Sequence, residues 1–384
     1  MHVGIVAGEV SGDALGAGVM KAIQARLPTA RFTGICGPQM LATGAEQRYS
    51  MDSISIMGLD GLLRNLGHII KIRRELKREF LTQPPDVFVG IDVPDFNLGL
   101  EEQLRASGIP TVHYVSPTVW AWRSYRIRKI RRAVSHMLTL FPFEAEYYRR
   151  NGVPVTFVGH PVADQIPEYD QTLTARRELE IPNNGPVLAL LPGSRTSEVR
   201  RLGKLFLNTA SQLAKREPSM SFVVPFANRE TLAEFEDLAK QMPQLSMHFV
   251  AGDSRKAIAC SDLVLLASGT AALEAALLKK PMVVAYKVSV LTYAIVQWFS
   301  RVRYYSMPNN LLAEAIVPEF IQNDATVPNL VSALQVYLDN PDRMQYCREQ
   351  FSTLHQQLRC DANRRAAETV LRIAGFSELA RINV

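Results

Sequence analysis

The segment from Leu263 to Lys287 restricts the fold more than any other part of the chain. Leu263-Val264-Leu265-Leu266-Ala267 is a continuous apolar run of strand length, and Ser268-Gly269-Thr270 is a turn of small residues. Ala271 to Leu278 has helix-forming composition, and Pro281 introduces a second apolar run, Met282 to Tyr286. Strand, turn, helix, strand is a βαβ unit. Its turn leaves unpaired backbone N–H groups at a helix start, where the helix dipole adds partial positive charge. A phosphate is the natural occupant of such a place. Glu274 stands about one helical turn after Thr270, within reach of a hydroxyl beside that phosphate. Tight packing alone would also select small residues at this junction.

The same alternation fills the rest of the chain. Val3 to Ala7 reads as a strand, followed by Gly8-Glu9-Val10-Ser11-Gly12-Asp13 and a helix from about Ala14 to Arg26. This loop has neither the dinucleotide fingerprint nor the P-loop lysine spacing. It places Glu9, Ser11 and Asp13 at the carboxyl end of a strand, where open α/β sheets bind ligands. Helix capping would account for Ser11 or Asp13 but not for Glu9 as well. Asp86 to Ile91 is a strongly apolar strand ending in Asp92-Val93-Pro94-Asp95-Phe96-Asn97. Asp95 is read as the cap of the following helix, leaving Asp92 to act as a base. The spacing is not that of paired carboxylates on a nucleotide-bound metal, so no metal is inferred.

Thr111 to Val115 opens into Ser116-Pro117-Thr118-Val119-Trp120-Ala121-Trp122-Arg123, whose tryptophans could stack on bases, hold lipid or sugar, or simply pack. After Val155 to Val158, His160 is read as structural rather than catalytic. The pattern loosens between Val162 and Asn184, which sets a domain boundary. A fresh series then begins at Val187 to Leu191 and turns through Pro192-Gly193-Ser194-Arg195, a loop with backbone donors, a hydroxyl and a guanidinium suited to phosphate oxygens. Two successive series predict an α/β protein with two doubly wound, Rossmann-like domains. The expected divisions are residues 1–165, residues 166–340, and helices in 341–384 that pack back on the first domain.

Charge and hydropathy narrow the function. The 384 residues carry a net charge of +6, concentrated in two clusters. One runs from Arg64 to Arg78, with Lys71, Arg73, Arg74, Lys77 and Arg78 against the single acid Glu75; the other runs from Arg123 to Arg132 without an acid. Such clusters suit nucleic acid, an anionic membrane or a phosphorylated substrate. No nucleic-acid motif accompanies them, and nucleic acid is not expected as a partner. Leu59, Leu62, Leu63, Leu66, Ile70, Leu76 and Phe80 recur with helical period beside the first cluster, with Ile69 among them. This helix either docks on its own core or lies at a membrane interface. No apolar run reaches the roughly 18–20 residues needed to span a bilayer. The early strand leaves no room for a signal peptide, and Cys36, Cys260, Cys347 and Cys360 lack metal or redox spacing, so reduced thiols in a cytoplasmic protein are expected.

Several blocks in order resemble the lipid-A-disaccharide synthase family: Ala7 to Asp13, Gly90 to Asn97, His113 to Arg123, Leu190 to Arg195, Leu266 to Glu274, Ser306 to Asn309 and Val317 to Phe320. The resemblance covers nearly the whole chain. It implies the two-domain B-type (GT-B) glycosyltransferase architecture and transfer of a diacylglucosamine unit from UDP-2,3-diacylglucosamine to 2,3-diacylglucosamine 1-phosphate. The products would be a β-1,6-linked disaccharide 1-phosphate and UDP, with inversion and without a cofactor. On this resemblance Asp92 is the base. Gly193, Ser194, Arg195, Ser268, Gly269 and Thr270 hold the diphosphate, Glu274 the ribose, and Asn309 helps close the site. Glu9, Ser11, Asp13, Asn97, Ser116 and Trp120 become acceptor contacts. A diacylated acceptor also favours the interfacial reading of Leu62, Leu63, Leu66, Ile69, Ile70, Arg73 and Arg74. The protein would then sit peripherally on the cytoplasmic face of the inner membrane, with a homodimer allowed but not required. The rival within the same architecture is a UDP-sugar 2-epimerase-like enzyme.

Overall fold

The structure, a computed structural model, describes residues 1–54, 58–120, 124–267, 269–288 and 303–381, without side chains at 58–66. The chain forms two compact units, Met1–Asp164 with Leu358–Val384, and Gln165–Gln357. In the first unit the strands are β1 (His2–Ala7), β2 (Arg31–Cys36), β3 (Glu46–Ser50), β4 (Val87–Ile91), β5 (Thr111–Tyr114), β6 (His136–Thr139) and β7 (Val155–Phe157). They form one parallel sheet in the order β3-β2-β1-β4-β5-β6-β7. The second unit carries β8 (Val187–Leu191), β9 (Ser221–Phe226), β10 (Met247–Ala251), β11 (Leu263–Ala267), β12 (Met282–Tyr286) and β13 (Glu319–Ile321), also parallel, in the order β10-β9-β8-β11-β12-β13.

The central strands are apolar throughout because helices cover both faces of a parallel sheet. Every residue of β4, β8 and β11 is buried. In both sheets the strand order reverses beside the first strand, between β1 and β4 and between β8 and β11. A crevice opens outside the carboxyl ends of the strands at each reversal, and ligands of doubly wound sheets bind there.

The chain passes from the first unit to the second after Asp164 and returns after Gln357, later than the residue 341 expected from sequence. Helix Pro341–Leu358 stays with the second unit because its side chains are bonded there. Arg343 Nη2 donates to Ile316 O at 3.1 Å, and Lys279 Nζ lies 2.6 Å from His355 Nδ1. Helix Ala362–Ile373 packs on Val10–Gln24 in the first unit, where Arg26 and Glu368 pair at 3.1 Å.

Helix Gly58–Thr82 corrects one expectation about the membrane face. Ile69, Ile72, Leu76 and Phe80 are buried in one core cluster with Phe88 and Leu100. Ile69 is therefore a core residue, while Ile70 and Arg74 are exposed on another face. Two adjacent isoleucines point about 100° apart on a helix, so only one can join the inward stripe. Arg73 is half-buried, with its guanidinium lying over Gly99. The side chains of Leu62, Leu63 and Leu66 lie outside the described residues.

Candidate active site

Asp92 follows the last residue of β4, at the reversal of the first sheet. It and Val93 both adopt positive φ, 51° and 41°. Left-handed backbone at two consecutive residues with side chains, one of them β-branched, costs on the order of 1–3 kcal/mol each, and such strain clusters at functional sites. The conformation is held from below. Asp92 N donates to Tyr114 O at 2.9 Å, and the buried Asn97 amide donates to Asp92 O at 2.8 Å and to Ile91 O at 3.3 Å. Asp92 itself is half-buried, and among the described residues its carboxylate has no hydrogen-bond or ion-pair partner. Asp95 does not cap the helix. The N-cap is Val93, Pro94 supplies the first turn without needing an N–H, and Asp95 pairs with Arg126.

The other predicted residues of the first unit divide into loop builders and exposed groups. Glu9 and Ser11 are exposed at the start of helix Val10–Gln24, beside Gly8. Gly8 lies so close to Val93 that a Cβ there would be 2.4 Å from its Cγ2, which brings the Glu9 loop against the Asp92 loop. Asp13 is not an acceptor contact. Its buried carboxylate accepts from Gly37 N at 3.0 Å, Gln39 N at 2.8 Å and Met40 N at 3.1 Å, satisfying the start of helix Pro38–Ala42. The Asn97 Nδ2 is likewise spent on the backbone around Asp92, while its Oδ1 is buried without a partner among the described residues.

Ser116 is buried, its Oγ 3.0 Å from Pro117 O and 3.1 Å from Tyr148 Oη. Trp120 is half-buried and meets Phe143 edge to face at 4.8 Å. Both face Glu144, whose carboxyl is pushed by burial up to about 8. Trp122 and Arg123 lie outside the described residues. His160 Nδ1 accepts from Val162 N at 3.2 Å, and its ring stacks on Phe141.

In the second unit most of the residues expected to hold the nucleotide converge. Gly193, Ser194, Arg195, Gly269, Thr270 and Glu274 line one cavity of about 520 Å³ at the β8–β11 reversal, with Pro225, Phe226 and Ala227 as an apolar wall. Ser268 lies outside the described residues. Sequence reading missed two charged groups here. Glu198 Oε2 accepts from Ser194 N at 3.0 Å and Arg195 N at 3.3 Å, so these amides are already engaged. The Arg195–Glu198 spacing is that of an N-cap residue and its N3 glutamate, a signal present in the sequence. Arg255 Nε holds Glu274 Oε1 at 2.8 Å, which fixes the orientation of the carboxylate.

Asn309 is not among the cavity's lining residues. It is buried, its Nδ2 donates to Val317 O and Glu319 Oε1, both at 2.8 Å, and its Oδ1 accepts from Val317 N at 2.9 Å. It ties helix Met307–Leu312 to β13. Both Nδ2 protons are spent within the protein, so the side chain has no donor left for a phosphate, and its contacts are those of a structural tie.

Comparison with known proteins assigns the pattern. A family model described as lipid-A-disaccharide synthetase matches residues 3–373. The lipid-A-disaccharide synthase of Alkalilimnicola ehrlichii is 48% identical over 378 residues, covering 98% of this chain and 99% of that protein. The chain belongs to the lipid-A-disaccharide synthase family. Among solved structures, the UDP-GlcNAc 2-epimerase of Neisseria meningitidis, bound to UDP-GlcNAc, superposes with a TM-score of 0.65 at 16% identity, covering 97% of this chain and all (100%) of that one. A glycosyltransferase from Rickettsia africae ESF-5 gives 0.58 at 11% identity, with 97% and 98% covered. At these identities the structural likeness speaks for the fold, the two-domain B-type architecture. The synthase-family match separates this chain from the epimerases that share it, and the epimerase alternative is not favoured.

Proposed function

We propose that this chain transfers 2,3-diacylglucosamine from UDP to the 6-hydroxyl of 2,3-diacylglucosamine 1-phosphate, releasing UDP and the β-1,6-linked disaccharide 1-phosphate. An α-linked donor and a β-linked product require inversion, hence one in-line displacement. Asp92 takes the proton of the attacking hydroxyl. The leaving diphosphate gains charge as the glycosidic bond breaks; the Arg195 guanidinium and the Thr270 helix start stabilise it. Glu274, oriented by Arg255, accepts from the ribose hydroxyls, and the Pro225–Phe226 wall suits the base. Glu9, Ser11 and Trp120 remain the acceptor contacts. The observation that carries this reading is a carboxylate on a strained turn at one sheet's reversal, without a partner among the described residues, together with a cavity that offers a guanidinium and a helix start at the other's.

The test is UDP release from UDP-2,3-diacylglucosamine with and without acceptor. A transferase stays nearly silent until the acceptor is added. An epimerase-like enzyme would alter the sugar and release UDP from donor alone, and that outcome would refute the transfer reaction.

The acylated substrates place the work at a membrane surface, on the cytoplasmic face of the inner membrane in this reading. Among the described residues no helix is long and apolar enough to cross a bilayer. Helix Gly58–Thr82, with Ile70 and Arg74 exposed, is the proposed interfacial element. Serine at Leu62, Leu63, Leu66 and Ile70 is expected to lower cosedimentation with anionic vesicles by about tenfold, with an unchanged circular dichroism spectrum. Undiminished sedimentation would remove this helix as the anchor.

A further inference from the structure

The nucleotide cavity contains a carboxylate that the reaction, as derived, does not use. Glu198 sits in the first turn of helix Thr196–Arg216 and turns Oε2 back onto the loop, accepting from the Ser194 and Arg195 amides. Gly193 closes over it. At φ 131° only glycine is at ease, and a Cβ would lie 2.4 Å from both Glu198 Cβ and Oε2. A capping-box glutamate ordinarily serves the N-cap amide alone. This one takes two successive amides of the loop that the diphosphate needs, and it lines the cavity itself.

The charge of the lining sharpens the point. Arg195 is the one cation among the described lining residues, against two acids, Glu198 and Glu274. Arg255 neutralises Glu274, but Glu198 has no basic partner among the described residues. A diphosphate entering beside this carboxylate would meet a like charge within a few ångströms, closer than salt can screen. An anion bound to the loop amides in place of that carboxylate would keep the same hydrogen bonds without the repulsion.

We propose that Glu198 is a resident anion of the phosphate loop, which holds the Ser194 and Arg195 amides in the nucleotide-free protein and is displaced when the diphosphate binds. It thereby keeps the loop shaped while empty, lowers nucleotide affinity and re-forms its hydrogen bonds behind departing UDP. Release of product limits many enzymes, so a competitor built into the site favours turnover where that step is slow. This rests on the reading of the cavity as the UDP site.

Calorimetric titration of UDP into wild type, Glu198→Gln and Glu198→Ala tests it. Glutamine still offers an oxygen to the two amides but has no charge, so it competes more weakly. Glu198→Gln is expected to bind UDP about five- to tenfold tighter than wild type. Unchanged or weaker binding by Glu198→Gln overturns the proposal, and a weakened Glu198→Ala beside it would mark Glu198 as a fixed support. Thermal melts check that each variant is folded; if alanine is not tolerated at the cap, the glutamine variant decides alone. Absence of UDP binding by the wild type would instead overturn the assignment of the cavity.

Discussion

Asparagine at position 92 is expected to leave UDP affinity within about twofold of wild type and to lower kcat by about a thousandfold, the middle of the range for losing a general base. The substitution isolates the chemistry for a structural reason. Asp92 is held at φ 51°, where asparagine is among the few residues at ease. The bonds that fix the turn involve its backbone, from Tyr114 O and the Asn97 amide, and survive the change. Alanine would confound the result by adding left-handed strain. Steady-state kcat and KM for both substrates, with UDP binding measured separately, decide the matter. Wild-type turnover would remove Asp92 as the base and leave Glu9, on the adjoining loop, as the next carboxylate to test.

The architecture was legible because parallel sheets covered on both faces need unbroken apolar strands, and Val87–Ile91, Val187–Leu191 and Leu263–Ala267 have them. The reversal of strand order then concentrates ligand-binding loops where the polar residues follow those strands. The roles of individual polar side chains were harder to read. Asp13, Asn97 and Asn309 occupy ligand-facing loops in sequence, yet each is spent on backbone groups: Asp13 on the Gly37–Met40 amides, Asn97 on Asp92 O, Asn309 on Val317. The residue types that satisfy buried backbone are those that bind substrates. Which task wins depends on neighbours brought in by tertiary structure. The choice between Ile69 and Ile70 shows the same limit, since two adjacent isoleucines give no sign of which faces the sheet. Arg255 was missed because its partner Glu274 lies on another helix.

The second large effect concerns stability and pH. Glu144 is 4% exposed, and burial drives its carboxyl from 4.5 to about 8, against the pull of the Phe141 amide and the Ser116 hydroxyl. Trp120 Nε1 faces it without closing a hydrogen bond. Between pH 4.5 and 8 the folded chain therefore keeps a proton that the unfolded chain has released. Raising pH through that window favours unfolding, with the full loss present above 8. For a shift of this size the loss is on the order of 3–5 kcal/mol. Glutamine at position 144 can still accept from Phe141 N, as Oε2 does now at 3.2 Å, and has no proton to lose. Glu144→Gln is thus expected to match wild type within about 1 kcal/mol at pH 5 and to exceed it by on the order of 3 kcal/mol at pH 8.5 in urea unfolding. Other buried groups also contribute to each curve. His136, pushed down to about 4 by burial and Arg372, makes stability rise with pH between 4 and 6.5, while burial of Glu101 acts in the falling direction. Both are common to the two proteins and cancel in the difference. Parallel stability curves across pH 5 to 8.5 would show that Glu144 ionises freely within the fold. Because Trp120 faces Glu144, its ionisation also disturbs a side chain proposed to contact the acceptor. Acceptor KM should accordingly climb above pH 8 in wild type and stay level in Glu144→Gln.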